Sequence, residues 1–108
     1  MAIGKELTRG VAEPIILNLL NNKKMYGYEI IKVVNEKTNN AFQWKEGTLY
    51  PCLHRLEAAG LIKNEWQIAD NGKPRKYYTL TRKGTAELVV KQAEWNLFAK
   101  SVNLLLFA

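Results

Sequence analysis

Between positions 6 and 20 the apolar residues Leu7, Val11, Ile15, Ile16, Leu19 and Leu20 recur at helical spacing, which predicts an amphipathic first helix. Pro14 falls inside it. Proline has no N–H to donate and its ring crowds the preceding turn, so a kink or a fresh helix start is expected there. The segment MYGYEIIKVVNEKTNN offers Tyr26, Ile30, Ile31, Val33 and Val34 as a second apolar stripe, with Asn39 and Asn40 as stop signals. Gly27 costs such a helix roughly 1 kcal/mol relative to alanine, so it is expected where another backbone comes close. AFQWK reads as a short extended link to the next element.

The stretch EGTLYPCLHRLEAAGLI reads as a third amphipathic helix stopped at Gly60. Turning Leu49, Leu53 and Leu56 inward leaves Thr48, Pro51, Cys52 and Arg55 on the outer side. If Thr48 caps the helix, Pro51 lies in the first turn, where its missing N–H would have had no partner anyway.

Beyond Gly60 the period changes to alternation. NEWQIAD and KYYTLT predict two strands of a hairpin whose tip holds Asn71, Gly72, Lys73, Pro74 and Arg75. Thr81 is the expected N-cap of a last helix of about 25 residues, on the order of 38 Å long. A compact domain of this size has a radius of gyration of about 13 Å, so such a helix must project. Along it Leu88, Trp95, Phe98, Val102 and Leu105 follow coiled-coil seam spacing, and residues 104–107 are apolar on all sides. A partner subunit would cover that tip; folding back onto the first helix is the other solution. The order predicts a mainly α fold with a small β-hairpin: a winged helix-turn-helix domain over 1–84 and a C-terminal dimerisation helix over 85–108.

The 108 residues contain 16 Lys and Arg against 10 Asp and Glu, a net charge of +6, which suggests an anionic partner, most simply nucleic acid. No apolar run approaches a membrane span, and a single cysteine excludes an internal disulfide; a soluble, cytoplasmic protein is expected. The one histidine, His54, and the one cysteine, Cys52, form no metal-ligand cluster, and no Gly-rich phosphate loop follows a strand. Neither catalysis nor a metal or cofactor is expected. The basic residues instead gather at Lys73, Arg75, Lys76, Arg82 and Lys83, with Tyr77 and Tyr78 among them, a composition suited to a DNA backbone. The short outer residues of the third helix would fit a groove.

GTLYPCLHRLEAAGLI followed by GKPRKYYTLTRKG, with MYGYEI upstream, closely resembles the PadR family of bacterial transcriptional regulators, in its small subfamily with one C-terminal helix. That resemblance implies a homodimeric repressor on a roughly palindromic operator of double-stranded DNA, the third helix in the major groove and the wing on adjacent backbone. It nominates Thr48, Tyr50, Pro51 and Arg55 on the helix and Gly72, Lys73, Arg75 and Lys76 in the wing. Tyr50 carries over as a phosphate contact, with a core-edge aromatic as the competing role. Lys45 and Glu46 stand where the family commonly has a small cap, which leaves the helix start open.

Some relatives bind flat aromatic compounds between subunits, so Trp95 and Phe98 are candidates for a slot taking a small aromatic or phenolic ligand; dimer core is the other reading. Cys52, on the expected groove side, would there be a candidate redox switch. A winged-helix module that binds protein or RNA is the alternative to a DNA-binding repressor.

Overall fold

The computed structural model covers residues 1–108 and contains four helices and three short strands: α1 (Lys5–Asn22), β1 (Met25–Tyr26), α2 (Gly27–Lys37), α3 (Glu46–Ala58), β2 (Ile62–Ile68), β3 (Pro74–Leu80) and α4 (Arg82–Leu106). The expected winged helix-turn-helix order is present. The strands form one antiparallel sheet in the order β1-β3-β2, and α1, α2 and α3 pack around its inner face. Ile16, Leu17, Ile30, Leu49, Leu53, Leu56 and Ile62 are fully buried at the centre.

Three local expectations change. Met25 and Tyr26 do not begin the second helix; they pair with Tyr78 and Tyr77 as a third strand. Glu29 then accepts a hydrogen bond from the Tyr26 N–H at 3.3 Å, closing the start of α2. α1 runs through Pro14 without a new start.

The third correction concerns α3, which begins at Glu46 with Lys45 as N-cap rather than at Thr48. The N–H groups of Thr48 and Leu49 both donate to the Lys45 carbonyl, at 3.0 and 3.1 Å. Pro51 therefore lies beyond the first turn, and the Gly47 carbonyl loses its helical donor. Gly47 is exposed, so water can reach that carbonyl.

The junction between α3 and α4 positions both ends of the molecule. Gly60 takes a positive φ of 77° after α3, and the Leu61 N–H reaches back to the Leu56 carbonyl at 3.0 Å. Thr81 caps α4 as expected, accepting from the Gly84 N–H at 3.0 Å, while its own hydroxyl donates to the Gly60 carbonyl at 2.7 Å. Lys83 donates to the Ala59 carbonyl at 2.9 Å. This lysine of the expected basic cluster thus serves the end of α3, where the helix dipole favours a cation.

α4 packs its first half on α1 and then extends, giving a molecule 53 × 32 × 21 Å. Leu88, expected on the dimer seam, is only 3% exposed and belongs to the chain's own core. The seam available to another molecule begins further along the helix.

Candidate nucleic-acid interface

On α3 the inward ridge is Leu49, Cys52, Leu53 and Leu56. Cys52 is 2% exposed, which corrects its expected outward position. Burial pushes its thiol pKa up, partly opposed by Arg55. A withheld, protonated thiol is the reverse of what a peroxide-sensitive cysteine requires, so the redox switch is discarded.

With Cys52 inside, Gly47, Pro51, His54 and Ala58, at successive spacings of four, three and four, form a fully exposed ridge. Thr48 is half-buried at its edge, and Tyr50 flanks the other side. No acid lies on this ridge. His54 is absent from the residues the sequence nominates, although its spacing from Pro51 and Ala58 is the signal that places it on this ridge. No group of three or more metal-ligating side chains exists.

Arg55 is exposed but not unpartnered. Its Nε stands 3.9 Å from a Glu13 carboxylate oxygen on α1, and Nη2 donates to the Cys52 sulfur at 3.1 Å. Tyr50 spans from α3 to the start of α2: a Cβ placed on Gly27 would lie 2.5 Å from the Tyr50 hydroxyl oxygen. Gly27 therefore admits a side chain rather than the backbone expected there. Tyr50 is partly packed and partly exposed, so its competing roles coexist in one side chain.

The wing is the β2–β3 hairpin. Its tip is shorter than expected, because Pro74 and Arg75 already belong to β3. Gly72 has a φ of 82°, and the Ala69 and Gly72 N–H groups close the turn onto the carbonyls of Lys73 and Ala69 at 2.8 and 2.9 Å. Lys73 is exposed. Neighbouring strand residues point to opposite faces, so Arg75 and Lys76 part company. Lys76 lies over the Tyr78 ring, its Nζ 5.8 Å from the centroid, and Arg75 lies over Tyr26 at 5.2 Å. Tyr26 and Tyr77 meet edge to face at 5.3 Å, so Arg75 rests on an aromatic pair at the wing's base.

At the far end of the molecule, Trp95 and Phe98 are 46% and 54% exposed, with ring centroids 5.7 Å apart. They line an open groove of about 1330 Å³ between α1 and α4, together with Leu7, Val11, Pro14 and Ile15. Val102 is half-buried and Leu105 exposed along the same helix.

The model of the transcriptional regulator PadR-like family matches residues 16–90. The chain belongs to this family. A PadR-like chain is a transcriptional regulator rather than an enzyme, and that activity implies DNA binding. A protein of Lysinibacillus sphaericus is 40% identical over 93 residues, covering 86% of this chain and 85% of its own. The negative transcriptional regulator PadR of Bacillus subtilis is 33% identical over 73 residues, which are 68% of this chain and 40% of that longer protein. A transcriptional regulator from Clostridium thermocellum has a solved structure that superposes with a TM-score of 0.84 at 37% identity, covering 94% of this chain and 96% of that one. The family match spans α3, the wing and only the first nine residues of α4. No helix of the PadR-like chain is long and apolar enough to cross a membrane.

Proposed function

We propose that this PadR-like chain is a homodimeric repressor that reads a roughly palindromic operator through α3 and its wing. The observation that carries the reading is the acid-free ridge of α3 beside a wing bearing Lys73 and Lys76. A slim ridge suits the major groove, and the wing cations suit phosphate. The related B. subtilis protein is a negative regulator, which favours repression. Pro51 and His54 on the ridge, with Thr48 at its edge, are the α3 residues to test for base preference. Gly72, Lys73 and Lys76 are those of the wing for backbone, with Arg75 supporting them from Tyr26.

The test is a titration of a labelled duplex taken from the region upstream of the chain's own gene, at several salt concentrations. Log affinity should fall with log salt by about 0.9 per phosphate neutralised. Lys76→Gln should reduce that slope by about one phosphate's worth for every sequence, whereas Thr48→Ala should change which sequence is preferred. Arg55→Ala should alter affinity less than Lys76→Gln, because Glu13 already neutralises part of its charge. Equal affinity for a random duplex would count against an operator reader, and salt-insensitive binding would favour a protein partner.

Relief by a small planar aromatic ligand is supported by Trp95 and Phe98, whose rings line the α1–α4 groove. Trp95→Ala should abolish fluorescence quenching by planar dyes while leaving the dimer intact. Loss of the dimer in that variant would make Trp95 interface core instead.

A further inference from the structure

Two large apolar side chains stand exposed on the wing, where no core requires them. Trp66 and Ile68 are 68% and 70% exposed. The β2–β3 register pairs Asn64 with Tyr78, Trp66 with Lys76 and Ile68 with Pro74, and directly paired residues share a sheet face. That face is the one turned toward α3, because Tyr78 is buried in the core and the Asn64 amide donates to the Glu57 carboxylate on α3. From Asn64 outward the same face leaves the core and continues as Trp66, Lys76, Ile68 and Pro74. Burial, Glu57 and Tyr50 together push the Tyr78 hydroxyl pKa up, consistent with α3 closing the inner end of this corner.

The opposite face is occupied by its own partners. Gln67 accepts from Lys24 at 2.6 Å, Lys24 also lies over Tyr77 at 5.7 Å, and Arg75 lies over Tyr26. Beyond Asn64 the inner face receives no group from another element: its one cation, Lys76, reaches back over Tyr78 at 5.8 Å, the Trp66 indole stays uncovered, and Lys73 is exposed at the adjoining tip. An apolar protein groove would leave those two ammonium groups without counter-charge. A DNA strand supplies both requirements, since phosphates alternate with deoxyribose rings whose C–H edges are apolar.

We infer that the inner wing face, centred on Trp66, is an apolar contact surface for the deoxyribose edge of the DNA strand passing between α3 and the wing. Trp66 lies against sugar, its indole N–H is free to donate to a phosphate oxygen, and Lys76 holds the neighbouring phosphate. This inference rests on the DNA-binding reading above and extends it from charge to shape: part of the affinity is insensitive to salt.

The test uses the full chain and the same upstream duplex. Trp66→Ala is expected to weaken binding about tenfold, equivalent to about 1.4 kcal/mol, at each salt concentration while the slope of log affinity against log salt is retained. Because Trp66 is outside the core, its thermal melt should be unchanged. The part of the fluorescence lost in Trp66→Phe should also become protected from acrylamide when duplex is added. Unaltered affinity in Trp66→Ala overturns the inference alone, and so does a loss accompanied by a shallower salt slope, which would make the indole a support for phosphate contacts. Failure of the unsubstituted protein to bind any duplex at low salt overturns the DNA reading, and the inference falls with it.

Discussion

Replacing Gly84 with alanine is expected to destabilise the fold by about 3 kcal/mol or more, an overpacking error at the upper end of its class. A Cβ at this position would lie 2.8 Å from Leu80 Cδ1 and 3.0 Å from the Leu61 carbonyl carbon, and closer still to the Leu61 oxygen. A flexible side chain could turn away, but the Leu61 peptide cannot. Its N–H donates to the Leu56 carbonyl at 3.0 Å and its oxygen accepts from the Thr81 N–H at 3.1 Å. Relief would require moving either the end of α3 or the start of α4, and with the latter the Thr81 cap. In thermal denaturation the midpoint should fall by more than roughly 12 °C, taking about 4 °C per kcal/mol at the low end for a domain of this size. Gly47→Ala is the matched control: nothing lies within 4 Å of its added Cβ, so its midpoint should stay level or rise slightly. Equal midpoints for Gly84→Ala and the unsubstituted chain would show that the α3–α4 junction is far more pliable than its hydrogen bonds imply.

What could be read from the chain, and what could not, follows from the range of each interaction. The helices, the hairpin and the Thr81 cap were legible because periodicity and capping are local patterns. β1 was not, since two residues carry no period and their partners, Tyr77 and Tyr78, lie in a distant segment. Gly84 likewise gave no signal, because its neighbour Leu61 is close only in the folded chain. Cys52 was misplaced for a different reason. Three leucines define a wide stripe, and Cys52, three residues after Leu49 and four before Leu56, falls within it as a small apolar side chain. Placing it on the outer side rotated the expected ridge away from His54 and toward Arg55. The sequence alone could not reveal that Glu13 and the Ala59 carbonyl would engage Arg55 and Lys83. The candidate interface was therefore legible as a region, while the individual contacts within it depended on packing from elsewhere.

Phe98→Glu is expected to convert a dimer into a monomer, raising the dissociation constant by about 100-fold or more, equivalent to about 2.8 kcal/mol. The ring is half-exposed in the isolated chain, and beside Trp95 it lines the groove between α1 and α4. Beyond it Leu104, Leu105, Leu106 and Phe107 are all exposed, an apolar end to a projecting helix. A second copy related by symmetry would cover both features at once, because each α4 presents the same seam to the other. A carboxylate at position 98 would have to be desolvated within that seam. The fold of the single chain should survive, since Phe98 is not part of its core; circular dichroism provides the check. Sedimentation equilibrium should then give the monomer mass at concentrations where the unsubstituted protein gives twice that value. Operator affinity should fall as well, because linking two half-site readers raises avidity by about 10² to 10⁴ without adding any contact, and a monomer loses that gain. A Phe98→Glu protein that remains dimeric would remove the α1–α4 groove from the interface and shift the burden of association to residues 104–107. A monomer that keeps full operator affinity would instead break the connection between dimerisation and operator reading.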